Sequence, residues 1–302
     1  MNEPSGVLIV DKHTGLTSHD IVGKVRRLYG TRRVGHTGTL DPDASGVLVV
    51  LIGRAAKAAE YLVADTKRYR ARLRLGLTTD TEDASGNILT RCADIPDAAT
   101  VIGACEGFVG DIKQIPPMYS ALKKDGQKLC DLARRGIVVE REARDVTIHE
   151  LICSPTDTPT DYILDVFCSS GTYIRTLCSD IGAALGCGGI MAELRRVEAG
   201  GFSIDSAHTI PEIEELSDDE RISLLSPVES LFEAIPRVCL PAFFERLCRS
   251  GCEIYQKKIR TDYPTGQRVR LCDESGRFFA LGEVGEYEGG SAIKSIKIFE
   301  LK

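Results

Sequence analysis

The chain has 302 residues, 43% of them hydrophobic, and a net charge of −6, which allows one large domain or two smaller ones and argues against a protein that coats nucleic acid with its whole surface. No apolar run reaches the roughly 18–20 residues that span a membrane, and MNEPSGVLIVDK lacks the basic segment, apolar stretch and small-residue cleavage site of a secretory signal. The eleven Cys are scattered, with no CxxC and only Cys248 and Cys252 as a CxxxC pair, and read as reduced thiols of a cytoplasmic protein rather than a disulfide framework or a metal site.

In chain order, Gly6-Val7-Leu8-Ile9-Val10 is an apolar run of strand length. Ser18 is a favoured N-cap, and Ile21, Val22, Val25 and Leu28 recur at helical spacing. A helix is therefore expected over His19–Tyr29, stopped by Gly30. The stretch GHTGTLDPDASG follows at 35–46, and Gly46–Ile52 reads as a buried strand. Arg54–Val63 is Ala-rich and expected to be helical. Between Lys67 and Leu75 the alternation is strict. Tyr69, Ala71, Leu73 and Leu75 share one face and Arg70, Arg72 and Arg74 the other, which predicts a half-buried strand with a basic outer face. Tyr162–Cys168 is another strand, Ser169-Ser170-Gly171 turns the chain, and a helix is expected over Tyr173–Leu185. The acidic stretch Pro211–Glu220 reads as a surface helix or connector. Past about Pro236 the character changes. Arg268–Leu271 and Phe278–Gly282 are short strand patterns joined by the turn Asp273-Glu274-Ser275-Gly276. Strands and helices alternate without a strict βαβ beat, so the fold class expected is α+β, with a small β-rich appendix.

Charge is unevenly spread along these elements. Asp11–Leu75 carries thirteen Lys and Arg against six Asp and Glu; Asp205–Glu233 carries nine acids against one Arg; the remaining C-terminal stretch has twelve bases against nine acids. Blocks of opposite sign describe one positive face and one solvated acidic segment, or no more than soluble surface.

The loop GHTGTLDPDASG holds two carboxylates, a His and three Gly directly ahead of an apolar run. Asp41-x-Asp43-x-Ser45-Gly46 mimics the start of a calcium loop, but the twelfth position is Ile52 where a bidentate Glu is needed. A phosphatase-type DxD nucleophile follows a hydrophobic strand, whereas here the strand comes after the Asp. Taken alone, the loop is equally consistent with a turn stabilised by its Asp side chains. Pro42 fixes the backbone just after Asp41 and pushes Asp41 itself toward extended geometry.

Taken together, the blocks are more specific. GVLIVDK at 6–12, RVGHTGTLDPDASGVL at 33–48, KRYRARLRLGLTTDT at 67–81, QIPPMYSALKKDGQKL at 114–129, EREARDVTI at 140–148, SSGTYIRTLCSDIG at 169–182 and LRR at 194–196 stand in one order and spacing. In these blocks the chain resembles the TruB family of tRNA pseudouridine synthases over roughly residues 5–210. It departs from the family pattern at His13, where Pro is usual, and at Ser45, where Thr is common.

The resemblance implies a mixed, largely antiparallel sheet flanked by helices as a catalytic domain over 1–233. A small β-rich PUA-like RNA-binding domain is implied over 234–302. It implies isomerisation of one uridine in the tRNA T-loop, position 55, without cofactor or metal: the C1′–N1 bond breaks, the uracil turns, and C5 bonds to C1′. Asp41 is then the nucleophilic carboxylate and Arg175 its ion-pair partner. The target base must be flipped out of a folded loop. Tyr69 matches the tyrosine that stacks on it, His36 the residue near the flipped base, and Tyr173 and Leu194 positions that line the pocket. Lys12, Lys67, Arg70, Arg72 and Arg74 are candidate phosphate contacts or solvated charges, and Lys123 and Lys124 lie in a segment that grips the RNA stem-loop. The implied partner is the T-arm of tRNA, with no guide RNA and no membrane, and the family default is a cytoplasmic monomer. Two other readings stay open: a non-catalytic tRNA-binding or tRNA-folding protein on the same scaffold, and a guide-RNA-dependent relative, for which the chain offers no long basic tail.

Overall fold

The computed structural model describes residues 3–62 and 66–299. In chain order the strands are β1 (Gly6–Lys12), β2 (Val34–Thr37), β3 (Ser45–Ile52), β4 (Lys67–Leu75), a hairpin of β5 (Leu77–Thr79) and β6 (Ile88–Arg91), and β7 (Gly110–Gln114). A second hairpin of β8 (Lys123–Lys124) and β9 (Gln127–Lys128) follows and leads into helix α3 (Leu129–Arg134); the strands continue with β10 (Arg144–Pro155), β11 (Asp161–Cys168), β12 (Gly189–Ala199) and β13 (Phe202–Ser203). Nine of these form one sheet in the order β1-β3-β12-β4-β11-β10-β7, with β2 on β3 and β13 on β12. Its pairings are antiparallel except where β12 runs parallel to β3. The fold is thus α+β with a mixed, largely antiparallel sheet.

The expected alternation of β4 is what divides the two faces of that sheet. Tyr69, Ala71, Leu73 and Leu75 are buried in a core completed by α2 (Ala98–Glu106) and α4 (Ile174–Ala184). On the other face, Arg68 pairs with Glu150 at 2.8 Å and Asp165 at 2.6 Å, and Arg74 forks onto Asp161 at 2.8 and 3.0 Å. Arg72 lies between Asp161 and Glu193. Arg68, Arg72 and Arg74 of the basic stripe are therefore laced to acids of the neighbouring strands.

Two local expectations are corrected. Helix α1 (Ser18–Leu28) is capped by Thr17, not Ser18: the Thr17 hydroxyl accepts from Asp20 N and the Asp20 carboxylate accepts from Thr17 N, a reciprocal box that only the earlier residue can form. The Ala-rich segment winds as a 3-10 helix over Gly53–Tyr61 rather than an α-helix, and Val63 lies outside the described residues. Its buried Ala55 and Ala58 are three apart, the spacing that stacks on one side of a three-residue turn. Ala55 packs against the β1/β3 face and Ala58 against the C-terminal part of the chain. The acidic stretch forms two short helices, Ile210–Glu215 and Asp218–Ser223, each opened by a capping box. No helix among the described residues is long and apolar enough to cross a membrane.

The C-terminal strands β14 (Arg237–Cys239), β15 (Ile254–Tyr255), β16 (Arg268–Cys272), β17 (Phe278–Tyr287) and β18 (Gly290–Ile298) make a second sheet in the order β14-β16-β17-β18-β15. The expected turn between β16 and β17 is closed by Asp273, whose Oδ1 accepts from Ser275 N and Arg277 N. This β-rich unit has the PUA-like character expected of it and its own core around Val269, Leu271, Phe279 and Ile293. A separate apolar cluster joins it to the main body, where Phe232 meets Phe278 and Phe299 with ring centroids 6.0 and 5.7 Å apart. The Arg268 guanidinium and the Lys297 ammonium each approach the Tyr61 ring, 5.7 Å from its centroid, and the Tyr61 hydroxyl donates to Ile296 O. Phe232 is 2% exposed. Phe232→Ala is expected to destabilise the protein by about 3–5 kcal/mol, read as a lower urea midpoint.

Candidate active site

Asp41 sits in the loop between β2 and β3, and four anchors hold that loop. The Ser18 hydroxyl donates to Leu40 O at 3.1 Å and accepts from Leu40 N at 2.9 Å. Lys12 Nζ donates to His13 O, Leu16 O and Pro42 O at 2.9, 2.7 and 3.1 Å. Gly15 N also donates to Pro42 O, at 2.9 Å, and Ala44 N closes the turn onto Asp41 O at 3.1 Å. Arg196, 0% exposed, donates from Nε to Val47 O at 2.7 Å and from Nη2 to Gly38 O at 3.0 Å, so one guanidinium clasps both ends of the loop. Gly46 at φ +104° makes this approach possible: a Cβ there would lie 2.1 Å from Arg196 O.

The Asp41 carboxyl faces Arg175 Nε at 3.0 Å. The Arg175 side chain is 6% exposed, and its other nitrogens donate to Thr81 O at 3.3 Å and Tyr119 O at 2.8 Å, with Asp83 at 3.8 Å. Burial pushes the Asp41 carboxyl above its ordinary range, and Asp83 and Asp43 push the same way; Arg175, and then Lys12, oppose them. Four acceptors around one guanidinium fix its orientation, so the positive charge stays aimed at Asp41.

The remaining residues singled out from the sequence take these places. Tyr69 is 7% exposed on β4, directly opposite Arg196 in register, and burial raises its phenol pKa. His36 lies on β2 opposite Val50; its Nδ1 is buried without a hydrogen-bond partner, and burial together with the Arg196 charge lowers its pKa, so the imidazole is neutral at pH 7. Tyr173 is half-buried at the N-cap of α4, two residues before Arg175. Leu194 lies opposite Ala71 and packs on the core cluster that includes Leu40 and Tyr69.

Lys12 is not a surface cation. It is 0% exposed, its ammonium is taken up by three carbonyls, and burial lowers its pKa to about 8; it supports the loop instead of reaching a phosphate. Arg72 and Arg74 are engaged by Asp161, and Lys67 is buried with Nζ on Ser170 Oγ at 3.2 Å. Arg70 is exposed. Lys123 and Lys124 are exposed on the β8/β9 hairpin, Lys124 donating to Glu140 O. Among the described residues no group of three or more His, Cys, Asp or Glu is arranged to hold a metal ion.

Sequence reasoning assigns no part to Ser18 beyond capping, to Arg196, to Asp83 or to Gln114. Arg196 and Gln114 both lie in blocks that carry the resemblance, but with Arg195 and Glu198 beside the one and Asp111 and Lys113 beside the other, nothing local marks either as buried. Asp83 lies just past the block that ends at Thr81, and nothing local distinguishes it from Asp80.

A mixed sheet of this topology, with a β-rich appendix and an Asp held against an Arg in the loop that leads into β3, is the architecture of a pseudouridine synthase. The model of the TruB family pseudouridylate synthase N-terminal domain matches residues 26–174, and that of the tRNA pseudouridylate synthase B C-terminal domain matches 175–233. A protein of Syntrophotalea carbinolica named tRNA pseudouridine synthase B is 46% identical over 80% of each chain. One of Alkaliphilus oremlandii with the same name is 42% identical over 98% of each chain. Among solved structures, a chain of a Cbf5-Nop10-Gar1 complex superposes with a TM-score of 0.75 at 25% identity, over 98% of this chain and 85% of that one. The chain belongs to the TruB family of pseudouridylate synthases.

Arg175→Met removes the nearest opposing charge. The Asp41 carboxyl, already raised by burial, is expected to titrate at least about one pH unit higher, measured by ¹³C NMR of labelled Asp against the Asp41→Asn spectrum.

Proposed function

We propose that the protein converts the uridine at position 55 in the T-loop of tRNA to pseudouridine, acting alone, with Asp41 as the nucleophile. The observation that carries this is the Asp41–Arg175 contact at 3.0 Å within a loop anchored on both sides. The family performs uridine isomerisation, and the relatives' names specify tRNA as substrate.

The chemistry asks for one carboxylate that attacks the nucleoside and a pocket that retains the freed uracil. Asp41 keeps 40% of its side-chain surface open while Arg175 stabilises the ionised form. Flipping the target base out of the T-loop costs a few kcal/mol. Stacking on an aromatic ring returns about 1–3 kcal/mol, a part assigned to Tyr69, with neutral His36, Tyr173 and Leu194 around the base. The C1′–N1 bond breaks, the uracil rotates within the pocket, and C5 joins C1′; C5 gives up its proton and the freed N1 takes one up, so the product is an isomer of the substrate and no added group is needed. Phosphate contacts fall to Arg70 and to the exposed Lys123 and Lys124. We divide the chain at 233/234 and assign the C-terminal sheet to RNA binding, with Lys257, Lys258 and Arg260 as its cationic cluster. No guide RNA is needed in this reading, and the working unit is a cytoplasmic monomer.

The test is an unmodified elongator tRNA transcript treated with the purified protein alone, followed by mapping of pseudouridine. Conversion at position 55 is expected, and its absence overturns the reading. Asp41→Asn, nearly isosteric but unable to attack, is expected to abolish conversion with tRNA affinity kept within about tenfold, ~1.4 kcal/mol. Substantial turnover by a verified Asn variant would remove Asp41 from the role.

A further inference from the structure

Arg175 is held by its helix as well as by its acceptors, and the start of that helix is fixed from outside. Helix α4 has no side-chain cap: Tyr173 at its N-cap makes none. The Tyr173 backbone is met instead by Gln114, the last residue of β7, the edge strand of the main sheet. Gln114 Nε2 donates to Tyr173 O at 3.2 Å, and Tyr173 N donates to Gln114 Oε1 at 3.0 Å. The Gln114 side chain is 1% exposed. A primary amide donates and accepts along one edge, so it pairs with a backbone unit as another strand would. A fully buried amide satisfied in this two-way fashion is fixed in orientation.

We propose that Gln114 is a positioning residue for the isomerisation: its amide fixes the first turn of α4 and, through it, the contact between Arg175 and Asp41. The proposal rests on the reading of Asp41 as nucleophile. Gln114 also begins the chain that reaches the same guanidinium from the other side. Five residues on, Tyr119 O accepts from Arg175 Nη2 at 2.8 Å. Past it lies a separately packed unit around Met118, Leu129 and Leu132, which carries Lys123 and Lys124. Gln114 therefore sits where the lysine-bearing segment and the Arg175 helix meet, and loosening it disturbs two of the supports of Arg175 together.

Two variants separate the hydrogen bonds from the volume of the side chain. Gln114→Met keeps the length and loses both bonds; Gln114→Glu keeps the acceptor for Tyr173 N and loses the donor to Tyr173 O. In single turnover with tRNA, Gln114→Met is expected to slow isomerisation by about 10- to 100-fold, the scale of a misplaced reacting group, with tRNA affinity unchanged and Gln114→Glu intermediate. The acid limb of the rate profile is expected to move up by on the order of one pH unit. Asp41 is faced by Arg175 from α4, Asp83 from the turn after β5, Lys12 from β1 and Asp43 from its own loop, and a displaced Arg175 leaves burial and the two acids less opposed. Independently of turnover, ¹⁵N-arginine NMR reads solvent exchange of the Arg175 Nε–H, assigned with Arg175→Lys; exchange is expected to be faster in Gln114→Met. If wild type fails on tRNA, the proposed function falls, and the exchange measurement still decides the part of Gln114. Wild-type rate, acid limb and exchange in Gln114→Met overturn the proposal, as does a rate loss that follows only a lower melting temperature with exchange unchanged. Should Gln114→Met not fold, the same readouts on Gln114→Glu decide: intermediate values support positioning, wild-type values overturn it.

Discussion

Burial drives the Asp41 carboxyl toward its neutral form, and a single guanidinium at 3.0 Å opposes it. Burial strengthens an ion pair and also makes each charge expensive to bury alone. The arrangement around Arg175 follows from this balance. Thr81 O, Tyr119 O and Asp83 share its donors, so the guanidinium has no unsatisfied side to turn away with. With Asp41, these acceptors come from three segments far apart in sequence, at residue 41, at 81–83 and at 119, and the cation is where they converge.

The loop that bears Asp41 is held on the same principle, with buried cations serving as caps for backbone carbonyls. Lys12 gathers three of them and Arg196 two, and four of the five, those of His13, Leu16, Gly38 and Pro42, lie outside the strands. A buried carbonyl left unmet costs about 1–3 kcal/mol, and a charged donor meets several at once. Charge is thereby used to stiffen irregular backbone next to the place where irregular backbone is needed.

Much of this is legible in the amino-acid sequence alone. The β4 alternation is clear because apolar and basic residues differ so strongly at period two, and the Gly-Pro-Asp loop stands out by composition. Legibility stops where the deciding partner is distant. Arg72 and Arg74 look like free cations until Asp161 is brought beside them from β11. Lys12 looks like a surface lysine until the loop folds over it. The choice of Thr17 over Ser18 as cap is local and readable, since Asp20 stands three residues after Thr17; the 3-10 winding of 53–61 is not, because the partners that bury Ala55 and Ala58, β1 and β3 for the one and the C-terminal part of the chain for the other, are distant in sequence. Gln114 and Arg196 sit in matched blocks, but residue type alone does not tell a positioning amide or guanidinium from a solvated one.

The parallel pairing of β12 with β3 sets Arg195 beside Ser45 and Arg196 beside Gly46. Among the strand pairings of the main sheet in the described residues this one alone runs parallel, and it joins parts of the chain about 150 residues apart. Contacts of such long sequence separation form late, after the loop entropy between them has been lost. During synthesis the Asp41 loop thus emerges long before the strand that clasps it, and a nascent chain that ends ahead of Gly189 carries the carboxylate without its clasp. The two contacts of Arg196 with the loop are therefore made only once the sheet has closed.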